Sequence, residues 1–293
     1  MIEQLIEKSR VLIEALPYIQ SFKGKKVVVK YGGATMGDGE KDTTILKDIV
    51  FMSAVGMHPI IVHGGGGLIS YRMNEAGKVP RFIEGLRVTD EETFAIVKDV
   101  LVGTINPAIV SEIGKLKGKA VGLSGETGGL IKAVKHPPVT CMEPEGRAIG
   151  VDIGYVGAAD FIDGERLAGI CSDGTIPVIA PIGQGDDGKL YNLNADTVAS
   201  KVAVAVGAKK LVFLTNVDGI IKDGEILSTI NIDEVNHLIS ENVIAGGMLP
   251  KVRAGIDALI GGVRKIHIIH GKIPHTLLLE IFTKKGVGTQ ITQ

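Results

Sequence analysis

The sequence predicts an α/β protein built around a mainly parallel sheet. Short, continuous apolar runs alternate along the chain with longer stretches of helical spacing. Apolar strands of this kind are typical of a sheet that helices cover on both faces. Glycine accounts for 40 of the 293 residues, about twice its usual share of ~7%, and glycine clusters follow two predicted strands. Ligands in such folds bind beyond the carboxyl ends of strands, so these clusters mark candidate sites.

Predicted strands and helices alternate along the chain. Residues 2–16 have helical spacing with one apolar face, and Pro17 is expected to end this helix. Residues 130–156 are rich in β-formers, proline and glycine and predict hairpins. A lobe boundary is expected near residues 183–188. The other strands are predicted at residues 26–30, 60–63, 119–123, 176–182, 210–215 and 265–269. The other helices are predicted at residues 41–55, 68–76, 89–116 with breaks near Gly103 and Pro107, 196–206, 246–260 and 275–282.

Charge and cysteine content exclude several classes of protein. Lys and Arg together number 32 and Asp and Glu 33, for a net charge of -1, which provides no broad basic surface for nucleic acid or an acidic membrane. No signal peptide is predicted, and no apolar run reaches the ~18 residues of a membrane span. Cys141 and Cys171 form no CxxC pair and are expected to be reduced thiols. We therefore expect a cytoplasmic protein.

Two glycine-rich strand ends are candidate anion sites. Lys30 ends the first strand beside Gly32 and Gly33 and can direct its ammonium at a phosphate, although a solvated lysine is the alternative. His63 ends the second strand and precedes four glycines, residues 64–67. A plain turn needs only one or two glycines, whereas four expose successive N–H groups at a helix N-terminus. This loop is the stronger candidate.

Two further candidates lie in the second half of the chain. Asn192, Asn194 and Asp196 alternate at a strand-to-helix junction, where Asp196 or Asn194 could serve only as a helix N-cap. The glycine pair 246–247 precedes a helix with Lys251 in its first turns. That arrangement fits phosphate binding, and a solvated helix lysine is the alternative.

Two familiar nucleotide-binding motifs do not fit this chain. It lacks GxxxxGK[ST] and is therefore not a P-loop NTPase. Residues 183–188 match GxGxxG, but a strand-like stretch follows, whereas a dinucleotide site needs a helix there. We expect a turn between strands, which disfavours the alternative of a nicotinamide-dependent reductase.

Several blocks, in order, resemble the amino acid kinase family over nearly the full chain. They are Lys-Tyr-Gly-Gly-Ala from Lys30, Ile-Val-His-Gly-Gly-Gly from Ile61, Gly-Leu-Arg-Val-Thr from Gly85, Asn-Leu-Asn-Ala-Asp from Asn192, Gly-Gly-Met-Leu-Pro-Lys from Gly246 and Leu-Glu-Ile-Phe from Leu279. The resemblance implies a three-layer αβα sandwich with two lobes. Residues 24–183 would bind substrate and dimerise, and residues 184–293 would bind the nucleotide. Gly67 and Asn216 stand where proline and aspartate are usual in the family.

The resemblance also implies transfer of the ATP γ-phosphoryl group to the side-chain carboxylate of N-acetyl-L-glutamate, in arginine biosynthesis. Lys30 and Lys251 would stabilise the migrating group, and Asp196 would orient both. A carboxylate acceptor is already ionised at pH 7 and needs no general base. Mg²⁺ would be held mainly by the nucleotide phosphates, without metal ligands from the protein. The implied substrate-binding residues are Gly65, Gly66, Arg87, Asn192 and Asn194. The implied nucleotide-binding residues are Gly32, Gly33, Thr215, Asn216, Gly247 and Met248.

Regulation is implied by the N-terminal helix, residues 1–23. In arginine-inhibited members of the family such a helix interlaces with a neighbour's and links three dimers into a hexamer. Docking of the helix on its own lobe is the alternative. Arginine would bind between the helix and the C-terminal lobe, and a PII-type signalling protein is a further implied partner. The residues implied for arginine are Tyr18, His270, Glu280 and Gly288.

Other readings remain open within and beyond the family. Glutamate 5-kinase and UMP kinase share the fold, but Arg87 in its block favours N-acetyl-L-glutamate, as does the lack of a C-terminal extension of the RNA-binding type. A non-catalytic ligand sensor on the same scaffold is disfavoured because both Lys30 and Lys251 are present.

Overall fold

The computed structural model describes residues 2–32, 43–142, 148–283 and 286–293. A π-helical stretch, Asp99–Ile105, joins two of the helices. The α-helices are α1 (Ile2–Phe22), α2 (Thr44–Ala54), α3 (Gly66–Glu75), α4 (Glu91–Lys98), α5 (Asn106–Lys115), α6 (Gly164–Ser172), α7 (Ala195–Ala205), α8 (Ile232–Ser240), α9 (Met248–Ile260) and α10 (Thr276–Phe282). The strands are β1 (Lys26–Tyr31), β2 (His58–His63), β3 (Phe82–Ile83), β4 (Leu86–Arg87), β5 (Lys119–Leu123), β6 (Ile131–Lys135), β7 (Val139–Met142), β8 (Ala148–Val151), β9 (Val156–Ile162), β10 (Thr175–Ile179), β11 (Ile182–Gln184), β12 (Leu190–Leu193), β13 (Lys210–Thr215), β14 (Ile221–Lys222), β15 (Glu225–Ile226), β16 (Thr229–Asn231), β17 (Lys265–His270) and β18 (Thr289–Thr292).

The central sheet crosses the whole molecule. Within the described residues its strand order is β16-β18-β17-β13-β1-β2-β10-β5. Neighbours are parallel except β17 and β18, which are antiparallel. Lys30 of β1 is in register with Val62 of β2 and Phe213 of β13. The carboxyl ends of the central strands are therefore level and form one edge for a site.

Helices cover both faces of this sheet. Val28 of β1 packs in a core with residues of α7 and α9, whereas Val27 and Val29 pack in a second core with residues of α2 and α5. Successive side chains of a strand point to opposite faces, so the alternation places one helical layer on each side. The predicted three-layer αβα architecture is confirmed.

A second, smaller sheet lies beyond the central one. Strands β11, β12, β9 and β6 form it and close on themselves. The GxGxxG match begins in β11 and continues into the turn before β12, and these two strands are antiparallel. Gly188 takes a left-handed conformation in this turn with φ 76°. The Gly185 N–H donates to the Lys189 carbonyl. The predicted turn between strands is confirmed, and these glycines contribute no phosphate loop.

Proline positions caused two wrong predictions. Helix α1 continues through Pro17 to Phe22. Pro17 is exposed, so the carbonyl that loses its helical donor can bond water instead. The helical region from α4 to α5 is also unbroken at Gly103 and Pro107. Pro107 is the second residue of α5 and directly follows the π-helical stretch, so its missing N–H coincides with the change in the helical hydrogen-bond pattern.

This region, Glu91–Lys115, has the length and apolar composition of a membrane span. Its apolar side chains belong to the core, since Val97, Val100, Leu101 and Ile109 are buried in the cluster beneath the sheet. The packing inside the fold accounts for the composition of this region.

Candidate active site

Two lysines meet one buried carboxylate at the strand ends. Lys30 Nζ, at the end of β1, lies 3.1 Å from Asp196 Oδ1. Lys251 Nζ, in the first turn of α9, donates to Asp196 Oδ2 at 2.9 Å. Asp196 itself lies in the first turn of α7. Three separate elements therefore bring two cations and one anion together, which leaves a net positive charge at this edge.

Burial and charge act in opposite directions on these groups. Burial lowers the pKa of Lys30, and the Asp196 carboxylate opposes that shift. Burial would raise the pKa of Asp196, but the charges of Lys30 and Lys251 outweigh it and hold that pKa below its ordinary value. The carboxylate therefore stays ionised and fixes both ammonium groups.

The glycine loop after β2 faces the same edge. Gly65 precedes α3, which begins at Gly66. A Cβ on Gly65 would lie 2.7 Å from Leu101 Cδ2 and 2.8 Å from Ile105 Cδ1, whereas a Cβ on Gly66 would meet nothing within 4 Å. A side chain at position 65 would therefore have to displace the buried methyl groups of Leu101 and Ile105. The first N–H groups of α3 have no partner within the helix and can bind an anion.

Arg87 closes the opposite side. Its Nη2 donates to the Gly66 carbonyl at 3.1 Å and to Ser70 Oγ at 2.8 Å, and its guanidinium stacks 4.6 Å from the Phe82 ring centroid. Burial lowers the pKa of Arg87. No sequence motif marked Ser70 or Phe82, because their importance comes only from contact with Arg87.

These groups line one cavity of about 220 Å³. Asn194 is the N-cap of α7, and its Oδ1 accepts from the N–H groups of Asp196 and Thr197. It also lines the cavity, so its predicted contact with substrate stays a prediction. Lys251 reaches the cavity wall through Asp196. The lining includes Lys30, Gly64, Gly65, Gly66, Phe82, Arg87, Asn192, Asn194 and Asp196.

The residues predicted for the nucleotide lie nearby, with one exception. Thr215 ends β13 at the same sheet edge and its hydroxyl contacts Asn216 Oδ1 at 3.4 Å. Gly247 and Met248 begin α9, one turn before Lys251. A Cβ on Gly32 would lie 2.7 Å from Lys30 Nζ, so glycine leaves room for the ammonium. Gly33 lies outside the described residues.

A second cavity, of about 440 Å³, lies between α1 and the end of the chain. Of the four residues predicted to bind arginine, Tyr18 and Glu280 line it, and His270 and Gly288 do not. The histidine at this cavity is His267, whose Nδ1 lies 2.6 Å from Glu280 Oε1. Residues 267 and 270 are separated by an odd number along β17, so they face opposite sides of the sheet. His270 therefore does not line this cavity, and its predicted contact with arginine stays a prediction.

Comparison with known proteins agrees with this geometry. The model of the amino acid kinase family matches residues 25–270. The chain belongs to the amino acid kinase family. An acetylglutamate kinase of Pelotomaculum thermopropionicum is 50% identical over 289 residues, which cover 97% of this chain and 98% of the relative.

Two solved structures share this amino acid kinase architecture. An N-acetylglutamate synthase from Neisseria gonorrhoeae, complexed with coenzyme A and N-acetyl-glutamate, superposes with a TM-score of 0.83 at 28% identity. That match covers 96% of this chain and 62% of the synthase. The same synthase complexed with coenzyme A and L-arginine gives a TM-score of 0.78 at 27% identity, covering 95% and 64% of the two chains.

Proposed function

We propose that this amino acid kinase transfers the γ-phosphoryl group of ATP to the side-chain carboxylate of N-acetyl-L-glutamate, producing N-acetyl-L-glutamyl 5-phosphate and ADP for arginine biosynthesis. The observation that carries the proposal is the pair of lysines held by Asp196 beside an open glycine loop and a buried arginine. The near full-length identity to an acetylglutamate kinase supports the choice of acceptor.

The geometry suits the charge that phosphoryl transfer develops. Negative charge spreads over the oxygens of the migrating group, and fixed positive groups stabilise it. Lys30 and Lys251 would approach this group from two elements, and the N–H groups of Gly65 and Gly66 would bind its oxygens or the acceptor carboxylate. Arg87 would hold the α-carboxylate of the substrate through paired donors. The acceptor is ionised at pH 7, so no residue needs to act as a base.

Magnesium would enter with the nucleotide. Within the described residues there is no group of three or more His, Cys, Asp or Glu side chains that could hold a metal. Both oxygens of Asp196 already face lysines. Mg²⁺ would therefore be held by the ATP phosphates, and Thr215, Asn216, Gly247 and Met248 would lie near the nucleotide.

An acceptor panel tests the proposal directly. ADP release by the full chain is measured with N-acetyl-L-glutamate, glutamate, aspartate and UMP at equal concentration. We expect release with N-acetyl-L-glutamate to exceed the others by at least ~10²-fold, because a site built to pair substrate polar groups rejects acceptors that leave them unpaired. Comparable or greater release with glutamate would favour glutamate 5-kinase instead.

Arginine control through α1 is a second part of the proposal. Tyr18 and Glu280 line the cavity between α1 and α10, and the Glu280 carboxylate can pair with a guanidinium. Burial would raise the pKa of Glu280, but the hydrogen bonds from His267 Nδ1 and the Val287 N–H help hold that pKa below its ordinary value. The arginine complex of the structurally similar synthase supports arginine as the effector class.

The exposed face of α1 supports assembly into a hexamer. The C-terminal end of α1 packs on α10 through Tyr18 and Phe282, whose ring centroids are 6.3 Å apart. The earlier part of the helix exposes an apolar face that its own lobe leaves uncovered, which favours a neighbouring subunit over the docking alternative. The exposed side chains are Ile2, Ile6, Val11, Leu12, Ile13 and Leu16. A PII-type partner and a cytoplasmic location are proposed from the sequence alone.

A further inference from the structure

His63 lies directly before the glycine loop and is fully buried. Its Nδ1 lies 3.1 Å from the Gly64 carbonyl oxygen. Its Nε2 lies 3.1 Å from Asn106 Nδ2. The same Asn106 nitrogen donates to the Val178 carbonyl at 2.9 Å. The imidazole is thus held on both sides by groups of known polarity.

These contacts fix one tautomer. The Gly64 carbonyl can only accept, so His63 Nδ1 must carry the proton. The Val178 carbonyl also only accepts, which requires the Asn106 NH₂ to face it and therefore to face His63 Nε2 as well. Nε2 must then accept. Both sides of the ring independently require a neutral imidazole protonated at Nδ1.

The tautomer determines how the glycine loop is oriented. A trans peptide points its C=O and the following N–H in opposite directions. When the Gly64 carbonyl turns toward the buried imidazole, the Gly65 N–H turns away from it, toward the side on which Gly65 lines the active-site cavity. Within the described residues, the Gly65 N–H has no hydrogen-bond acceptor. It is therefore available to an anionic ligand.

The π-helical stretch packs against Gly65. Leu101 and Ile105 belong to it, and their methyl groups lie 2.7 and 2.8 Å from where a Cβ of Gly65 would be. Asn106 follows directly as the first residue of α5. Residues 99–106 therefore fix the position of the glycine loop and supply the Asn106 amide that orients His63. This agrees with the frequent occurrence of π-turns at functional sites.

We propose that His63, oriented by Asn106, is a positioning residue that aims the Gly65 N–H at the transferring phosphoryl group. The role rests on the kinase reaction proposed above. Burial lowers the pKa of His63 to about 4, so the ring keeps the neutral form that this geometry requires at physiological pH. His63 itself need not touch the substrate.

Paired substitutions test the role through kcat and KM. His63→Leu removes the donor to Gly64, and His63→Asn restores one, because its amide nitrogen can take the place of Nδ1. We expect His63→Leu to lower kcat by roughly 10- to 100-fold, the range for a misplaced catalytic group, with KM for ATP and N-acetyl-L-glutamate changed less than about 3-fold. His63→Asn should recover most of the loss. Val212→Ala, a buried position in the core that also contains Leu101 and Ile105, controls for loss of packing.

A wild-type kcat in folded His63→Leu would overturn the inference, as would equal loss in the leucine and asparagine variants. The state of the ring is measured separately by ¹⁵N-detected NMR on the wild-type protein, which needs no turnover. We expect Nδ1 protonated and Nε2 unprotonated from pH 6 to 8. A proton on Nε2 in this range would overturn the assignment. Failure of the proposed reaction would instead appear as absent ADP release by a wild type with the expected tautomer.

Discussion

At the scale of single residues, Lys30 and Lys251 share the carboxylate of Asp196, and each would meet the migrating phosphoryl group. Replacing either by alanine should lower kcat by about 10²–10³, the range for losing one fixed charge stabiliser. Steady-state kinetics with both substrates measure the effect. Lys201→Ala, an exposed position on α7, is the matched control. A folded Lys251→Ala protein with nearly wild-type kcat would refute the assignment.

Arg87 is predicted to affect the KM for N-acetyl-L-glutamate much more than the KM for ATP. Arg87→Lys keeps the charge but loses the paired donors, so KM for N-acetyl-L-glutamate should rise at least ~10-fold while KM for ATP changes little. Arg72→Lys on the exposed side of α3 is the control. Arg87 also bonds the Gly66 carbonyl, so equal increases in both KM values would indicate a structural arginine instead.

His63 should leave a signature in the pH dependence of stability. Burial lowers its pKa from 6.5 to about 4 in the folded protein. Between these values the unfolded chain binds a proton that the folded protein does not, so stability falls as pH falls, by about 3 kcal/mol in total. Urea unfolding from pH 7 to pH 4 should show a smaller decrease in His63→Asn than in the wild type. Equal pH dependence in the two proteins would contradict this origin.

At the scale of elements, the loop and the π-helical stretch are packed against each other. Gly65→Ala would place a Cβ 2.7 Å from Leu101 Cδ2, and such overpacking costs about 1–3 kcal/mol. Gly67→Ala meets nothing within 4 Å and lies in α3, where alanine is the better helix former by up to ~1 kcal/mol. Thermal unfolding should therefore show a lower Tm for the first variant only. A lower Tm for both variants would contradict the contact between position 65 and Leu101 as the cause of the destabilisation.

At the scale of the whole molecule, α1 is predicted to connect dimers. An isolated helix of this length is marginal in water, and six of its apolar side chains before Pro17 are exposed in the single chain: Ile2, Ile6, Val11, Leu12, Ile13 and Leu16. Deleting residues 1–16 should convert hexamers to dimers and weaken arginine inhibition while kcat is largely kept, since inhibition requires arginine to favour one assembled conformation.

Light scattering and an arginine titration measure the two effects. Leu12→Glu in the full-length chain is a milder companion, because it places a charge on the exposed face without removing Tyr18. A truncated protein that stays hexameric and fully inhibited would contradict the role of α1.

Much of the fold could be predicted because its signals are local. The strand 210–215 and the helix ending at residue 260 agree with β13 and α9, since apolar runs and helical spacing reflect burial directly. Helices α6 and α8 were missed. The prediction that Pro17 ends the helix was wrong. Whether a proline ends a helix depends on whether the carbonyl that loses its hydrogen bond is buried or can bond water instead.

The α/β class, the glycine loop after β2 and the identity of the charged residues can be predicted from the sequence, because each is encoded in a short stretch of chain. Which of these residues come into contact depends on the tertiary structure. Asp196 and Lys251 are 55 positions apart, and Asn106 and His63 are 43 positions apart. Strand order and register bring them together, and these depend on how the helices and the sheet pack as a whole. The same packing places His267, and not His270, at the second cavity, because the elements packed around a strand determine which of its faces meets a cavity.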